Sequence, residues 1–311
     1  MAEIFLKELN ALAEGDKAAF INSEEEKYAF RIEGLADYVK ENGNIRIILL
    51  AGPSGSGKTT SANLISDAIK RRGEDCIVVS LDDFYKSATD PTYPRRQDGE
   101  RDYECPEALE LEEISGVLAD IAAGRDFILP RYDFKVGGRV STTSHEAMPE
   151  GCVIIEGLHA LNPKIYSSID KDKILRLFVS VSTNINDESG RILSGRKLRF
   201  VRRMVRDSIY RAATAERTLD MWREVLAAED VYLYPYKESA DLAFNTFHAF
   251  EPCVMRPYAL KLIDEELAQR NPYAKTVREA LKRVTPIDDT LVPETSLIKE
   301  FIPGGIYENL Y

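Results

Sequence analysis

The chain has 311 residues and a formal net charge of −11, from 41 Lys and Arg against 52 Asp and Glu, with 44% hydrophobic and 30% charged residues. At about 100–200 residues per domain this is one large domain with appendages, or two, and it is long enough to bury a sizeable core. The acidic balance argues against a general binder of nucleic acid or anionic membrane, because phosphates repel such a surface at long range. The opening MAEIFLKELN has no basic stretch followed by a long apolar run, so no signal peptide is indicated, and no apolar run approaches the ~20 residues of a membrane span. Cys76, Cys105, Cys152 and Cys253 lie too far apart for a Cys-x-x-Cys motif and read as reduced thiols of a cytoplasmic protein, not as metal ligands.

Residues 1–42 read as a helical prefix. Ser23 followed by Glu26 has the pattern of a capping box, and Ala29, Ile32, Leu35 and Val39 then recur at helical spacing until Asn42-Gly43-Asn44. Ile45 to Ala51 has the composition and length of a buried strand. A glycine-rich turn, a helical pattern to about Arg72 and a second strand at Cys76 to Ser80 complete a βαβ unit, which predicts a mostly parallel sheet between helical layers. From Phe84 to about Pro106 the chain is polar and turn-rich (Asp90-Pro91, Tyr93-Pro94, Gln97-Asp98-Gly99), too long for an ordinary connector and expected to be a lid or substrate loop. A helix is predicted over Glu107 to Ala123, and a hairpin from Phe127–Phe134 and Arg139–Thr143 around Gly137-Gly138. Further strands are expected at Val153–Ile155, Leu175–Val181 and, more weakly, Leu242–Phe244. Residues 43–250 are thus the expected core domain, with a lid at about 187–217, and 251–311 a helical extension with a turn-rich tail. Prefix and tail have three readings: a contact in a homo-oligomer, closure over a ligand, or packing against the sheet.

Gly52-Pro53-Ser54-Gly55-Ser56-Gly57-Lys58-Thr59 satisfies G-x-x-x-x-G-K-[ST] in full. Such a loop converges backbone N–H groups on a polyphosphate, and its glycines supply left-handed dihedrals and close approach. Lys58 would reach the β- and γ-phosphates, the Thr59 hydroxyl would bind Mg²⁺, and the following helix would present its positive end, with Thr60 also among the expected nucleotide-binding residues. The strand before and the helix after the motif make a chance glycine turn a poor account of it. The expected fold is an α/β P-loop NTPase with three αβα layers, and the expected ligand is ATP with Mg²⁺.

Acidic residues at strand ends narrow the chemistry. Asp82 and Asp83 follow the second strand, where α/β sheets place ligands, and a carboxylate there can take a proton from a hydroxyl. Glu156 follows Val153–Ile155 in a position suited to the magnesium side. The blander reading for each is a turn or cap residue. Arg191 to Arg217 holds nine basic and two acidic residues, +7 over 27 residues, which leaves −18 on the other 284. Arg199, Arg202, Arg203 and Arg206 stand at i, i+3, i+4 and i+7, one helix face, with Leu198, Val201, Val205 and Ile209 on the other. Aligned guanidiniums need an anion, and a triphosphate under transfer would serve; ion pairs with the acidic remainder are the plainer alternative.

The ordered set GPSGSGKTT, SLDDFY, LPRYDF, VIIEG and RFVRRMVRD resembles the uridine kinase / phosphoribulokinase family of P-loop kinases over about residues 45–245. The segment from Glu294 to Phe301 before Gly304-Gly305 is also similar to the ending of bacterial uridine kinase-like proteins. The resemblance implies that Asp82 is the base for a nucleoside 5′-hydroxyl, and that Lys58, Thr59 and Glu156 serve phosphate and magnesium. It likewise implies that Tyr85, Tyr103, Glu104 and Tyr132 line the acceptor, with Arg199, Arg202, Arg203 and Arg206 as lid and Arg211 beyond it. Three positions depart from the family pattern: Gly137 stands where the hairpin carries a histidine, Ala212 replaces a glycine, and Asp83 replaces a serine. The expected reaction is transfer of the ATP γ-phosphate to a primary hydroxyl, first of all a nucleoside 5′-OH; the alternative acceptor is another small alcohol, such as a vitamin precursor or a sugar phosphate held by Arg95, Arg96 and Arg139. A nucleotide-dependent regulatory or RNA-associated protein, with Phe200 and Tyr210 stacking beside the arginines, is the reading from a different class.

Overall fold

The computed structural model describes residues 2–96 and 99–308; Gln97 and Asp98, part of the expected turn-rich loop, lie outside the described residues. In chain order the elements are β1 (Ala2–Phe5), α1 (Leu6–Glu14), α2 (Lys17–Glu41), β2 (Ile47–Ala51), α3 (Lys58–Arg71) and β3 (Cys76–Ser80). There follow α4 (Leu111–Ala122), β4 (Phe127–Asp133), β5 (Gly138–His145), β6 (Cys152–Gly157), α5 (Pro163–Tyr166), β7 (Ile174–Ser180), β8 (Thr183–Asp187) and β9 (Gly190–Leu193). The chain closes with α6 (Gly195–Tyr210), α7 (Ala215–Tyr232), β10 (Leu242–Asn245), α8 (Glu251–Leu262), α9 (Glu265–Arg270) and α10 (Pro272–Lys282), then short 3₁₀ turns.

Five strands form a parallel sheet in the order β10-β7-β2-β6-β3. All five residues of β2 are buried, and their alternation sorts them onto two faces: Ile48 and Leu50 pack on the side of α2, α3 and α6, whereas Ile47, Leu49 and Ala51 pack on the side of α4. The result is the three-layer α/β architecture that the βαβ pattern predicts. Among the described residues no helix is long and apolar enough to cross a membrane.

Two expectations for the prefix need correction. Its first residues are a strand, not a helix: β1 runs parallel to β8, which pairs antiparallel with β9 in a separate three-stranded sheet. The cap of the long helix is Asp16, whose carboxylate accepts the Ala19 amide, so Ser23 and Glu26 lie inside a 25-residue helix. A capping box works only where the chain enters a helix, and here it has entered already. Ile32, Leu35 and Val39 are buried as their spacing predicts, but Ala29 faces solvent and Tyr28 takes the inward position.

The prefix and the C-terminal extension share one hydrophobic cluster with α3, extending from Leu6 to Ile302. Polar stitches accompany it. Asn10 donates to the Arg283 carbonyl and accepts from the Thr285 amide, and the Ser296 hydroxyl donates to Glu25 at 2.5 Å. Glu25 also lies 3.9 Å from Nε2 of buried His248. This is not an ion pair, because burial holds His248 neutral with its pKa pushed down to about 3, while burial pushes Glu25 up to about 7.

The sign of a stability dependence follows. The folded state prefers protonated Glu25, so the contribution is fully present below the ordinary value of 4.5 and is lost as pH rises through about 7. Glu25→Gln should therefore be more stable than the parent at pH 8.5 by roughly 2–3 kcal/mol, with no difference below pH 4.5, as read by urea unfolding at the two pH values. Equal stability at pH 8.5 would remove the buried-acid assignment.

Candidate active site

The glycine loop joins β2 to α3 at the carboxyl edge of the sheet. Gly52 has no room for a side chain, since a Cβ there would lie 2.3 Å from the Val179 carbonyl oxygen. Gly57 takes φ +83° as the residue before α3 and offers no side chain to cap it, so the first amides of that helix are left to other acceptors. Lys58 rests its ammonium 3.4 Å from the Pro53 carbonyl, and the Thr59 hydroxyl donates to Glu156 at 3.3 Å. The Ser56 hydroxyl is buried with no hydrogen-bond partner among the described residues.

Asp82 sits in a 3₁₀ turn directly after β3, with Ser80 capping its amide. Its side chain touches the cleft, but the packing around it makes charge costly, and its pKa is raised. Lys58, Arg211 and Arg206 oppose the rise, and Asp83 adds to it. Glu156 behaves alike: burial pushes it up to about 7 against Lys58, with Asp82 adding repulsion. Lys58, Asp82 and Glu156 thus feel one another across one cleft. The Thr59 hydroxyl and the Glu156 carboxylate form a hard, oxygen-only and incomplete donor set, which fits Mg²⁺, an ion that keeps several of its waters.

The arginine stripe does not form one phosphate-facing row. Arg199 and Arg202, expected at the phosphates, are 1% and 0% exposed and lie behind the loop. Arg199 forks onto Glu229 with two 2.8 Å bonds and gives a third to the Ser54 carbonyl. Glu229 also accepts the Ser54 amide at 2.9 Å. Arg202 forks onto Glu251 at 3.1 and 2.5 Å and reaches the Gly55 carbonyl at 3.3 Å. It bonds Thr246 as well, whose hydroxyl donates to the Ser56 carbonyl at 2.6 Å. The physical reason is direct: buried carbonyls need donors, and buried guanidiniums need carboxylates.

The other arginines do turn toward the cleft. Arg203 donates to the Ser54 hydroxyl at 2.7 Å and pairs with Asp207 at 3.3 Å. Arg206 places two donors on the same Asp207, and Arg211 lies 3.5 Å from it. Three cations share one carboxylate, so positive charge is left over beside Lys58. Asp207 stands four residues from both Arg203 and Arg211, a spacing visible in the sequence; Glu229, Glu251 and Thr246 are distant in the chain and carry no local signal.

On the acceptor side, Tyr85, Tyr132 and Phe134 form an aromatic trio with ring centres 5.0–5.9 Å apart. The Tyr85 hydroxyl donates to the Tyr103 carbonyl, and Tyr103 packs on Tyr93. Burial raises the Glu104 pKa, with Arg203 opposing and Asp82 reinforcing the shift. Asp83 accepts the Tyr132 amide at 3.1 Å and so ties the hairpin to the Asp82 turn. His145 stacks on Phe127 at the base of the hairpin and does not replace the histidine absent at Gly137.

A buried pair broken on one side costs more than a pair replaced on both. Glu251→Ala should lose about 3–5 kcal/mol of stability, whereas the double change Arg202→Met, Glu251→Leu should recover most of it but still weaken nucleotide binding, because Gly55 loses its donor. Chemical unfolding and calorimetric titration with MgATP separate the two effects.

The phosphoribulokinase / uridine kinase family model matches residues 47–250. A uridine kinase of Schizosaccharomyces pombe is 30% identical over 180 residues, 58% of this chain and 36% of that protein, so the chain matches only about a third of that relative's length. A uridine kinase of Borrelia hermsii is 28% identical over 200 residues, 64% of this chain and 85% of that protein. A solved Bacillus stearothermophilus chain named "Possible Uridine Kinase" overlays with a TM-score of 0.48 at 18% identity, over 70% of this chain and 99% of that one. The family model spans well over half of the residues and takes in the loop, the strand-end acids and the arginine helix, and the chain is a member of the phosphoribulokinase / uridine kinase family.

Proposed function

We propose that the protein transfers the γ-phosphate of ATP to a primary hydroxyl, and that the acceptor is a nucleoside attacked through its 5′-OH. The observation that carries this reading is Asp82 in the turn after β3, with Lys58 near enough to oppose the rise in its pKa and with Tyr85 of the Tyr85–Tyr132–Phe134 trio near enough to feel its charge. An aromatic trio suits a flat heterocycle, and Tyr103 and Glu104 would meet the ribose. Asp82 takes the proton as the acceptor oxygen attacks the γ-phosphorus, and ADP leaves. Lys58, Arg203, Arg206 and Arg211 stabilise the charge spreading over the transferred group. Thr59 and Glu156 would hold Mg²⁺, which would supply neutralisation of the phosphate charge. The relatives named uridine kinase support the same acceptor class.

The rival acceptor, a sugar phosphate, would need free cations outside the lid. Arg139 pairs with Glu113, Arg96 with Glu224, and Arg95 donates to the Gly99 carbonyl, so the arginines suited to that task are engaged elsewhere. The RNA-associated reading loses its motive too, since Phe200 is fully buried against Trp222 and Tyr273, and Tyr210 bonds the Ile302 carbonyl.

Screening labelled ATP against nucleosides and sugar phosphates should give product with nucleosides; turnover confined to sugar phosphates would overturn the acceptor assignment. Asp82→Asn should lower kcat by about 10²–10⁴ with ATP affinity kept within threefold. Residual turnover within about tenfold of the parent would mean that another group takes the proton. Arg203→Ala should depress kcat more than it changes ATP affinity.

A further inference from the structure

The C-terminal segment touches the glycine loop, the helix after it and the arginine behind it. Leu297 covers Gly57, where an added Cβ would lie 2.8 Å from the leucine methyls. Phe301 lies under the Arg202 guanidinium, 5.0 Å from charge to ring centre. Between them Glu300, 5% exposed, places one carboxylate oxygen 2.8 Å from the Thr60 hydroxyl and 3.3 Å from the Thr60 amide.

Thr60 is the third residue of α3, and its amide is one of the first-turn donors that have no partner inside the helix. Those donors are what a P-loop offers to phosphate. Here one of them is held by a carboxylate that belongs to the chain itself. The segment is anchored independently of that contact: Ser296 bonds Glu25, and Lys299 donates to the Asp289 and Pro303 carbonyls. It also lies outside residues 47–250, the part of the chain that the family model matches. A phosphate and a carboxylate brought to the same buried donors repel each other strongly, because little water lies between them.

We propose that Glu300 is a tethered competitor of the nucleotide's phosphates, and that it determines how tightly this kinase holds its phosphate donor. The inference rests on the P-loop binding a nucleotide, as the proposed function has it. A bound triphosphate either shares Thr60 with the Glu300 carboxylate or turns it away, and the cost of doing so is subtracted from affinity. A plain helix cap would act in the opposite direction, since its removal loosens the loop and weakens binding.

Glu300→Gln keeps the side chain's size and its acceptor oxygen but removes the charge. Calorimetric titration of the full chain with MgATP, without acceptor, should show this variant binding about tenfold more tightly than the parent. Hydrogen exchange on the parent should show the amides of residues 297–302 exchanging faster once MgATP is added. Unchanged or weaker binding by the variant, or slower exchange in that segment, would overturn the inference. Lys58→Ala separates the two levels. If the parent binds MgATP in a Lys58-dependent way and Glu300→Gln does not strengthen it, only this inference fails; if neither parent nor Glu300→Gln binds, the nucleotide reading fails with it.

Discussion

A loop that turns its amides toward an anion turns its carbonyls the other way, and in this protein that other side is buried. The carbonyls of Ser54, Gly55 and Ser56 point into protein and are met by Arg199, Arg202 and Thr246. Each buried arginine in turn requires a counter-charge, which Glu229 and Glu251 supply from α7 and α8. The glycine loop is therefore the front of a structure whose back is a chain of obligatory pairings. Burying these two ion pairs adds little to stability by itself; what they fix is the shape of the loop.

The same demand explains how α6 uses its charge. Two of its arginines are neutralised one-to-one by glutamates and serve the loop. Two more, Arg203 and Arg206, gather with Arg211 just beyond the helix on the single carboxylate of Asp207 and leave surplus positive charge near Asp82. A single helix thus carries two populations of the same residue type, separated by what each one faces. A count of +7 over the stretch does not distinguish them, because it takes no account of partners 30 or 49 residues away.

This sets how much was legible beforehand. The glycine loop, its flanking strand and helix, Asp82 at the end of β3 and Glu156 at the end of β6 are local patterns, and local geometry follows from local spacing. The hairpin and the arginine helix were legible for the same reason. Glu229, Glu251 and Glu300 were not, because glutamates inside helices or turns look like solvated surface until the fold brings a partner to them. The strand at Ala2–Phe5 was hidden similarly: four residues have too little pattern to declare a strand, and only pairing with β8 makes them one. Ser23 was a false signal of another kind, a correct motif in a place where Asp16 had already started the helix.

The long reach of these pairings has a consequence for the order in which the protein is made. The glycine loop leaves the ribosome when Glu229, Glu251 and Glu300 have yet to be added, and Thr60 is separated from Glu300 by 240 residues. The loop can emerge, and its strand and helix can form, but the carbonyls behind it have no settled donors until the last helices arrive. The support behind the glycine loop is accordingly among the last features of the nascent chain to be completed, although the motif itself is among the first to be translated.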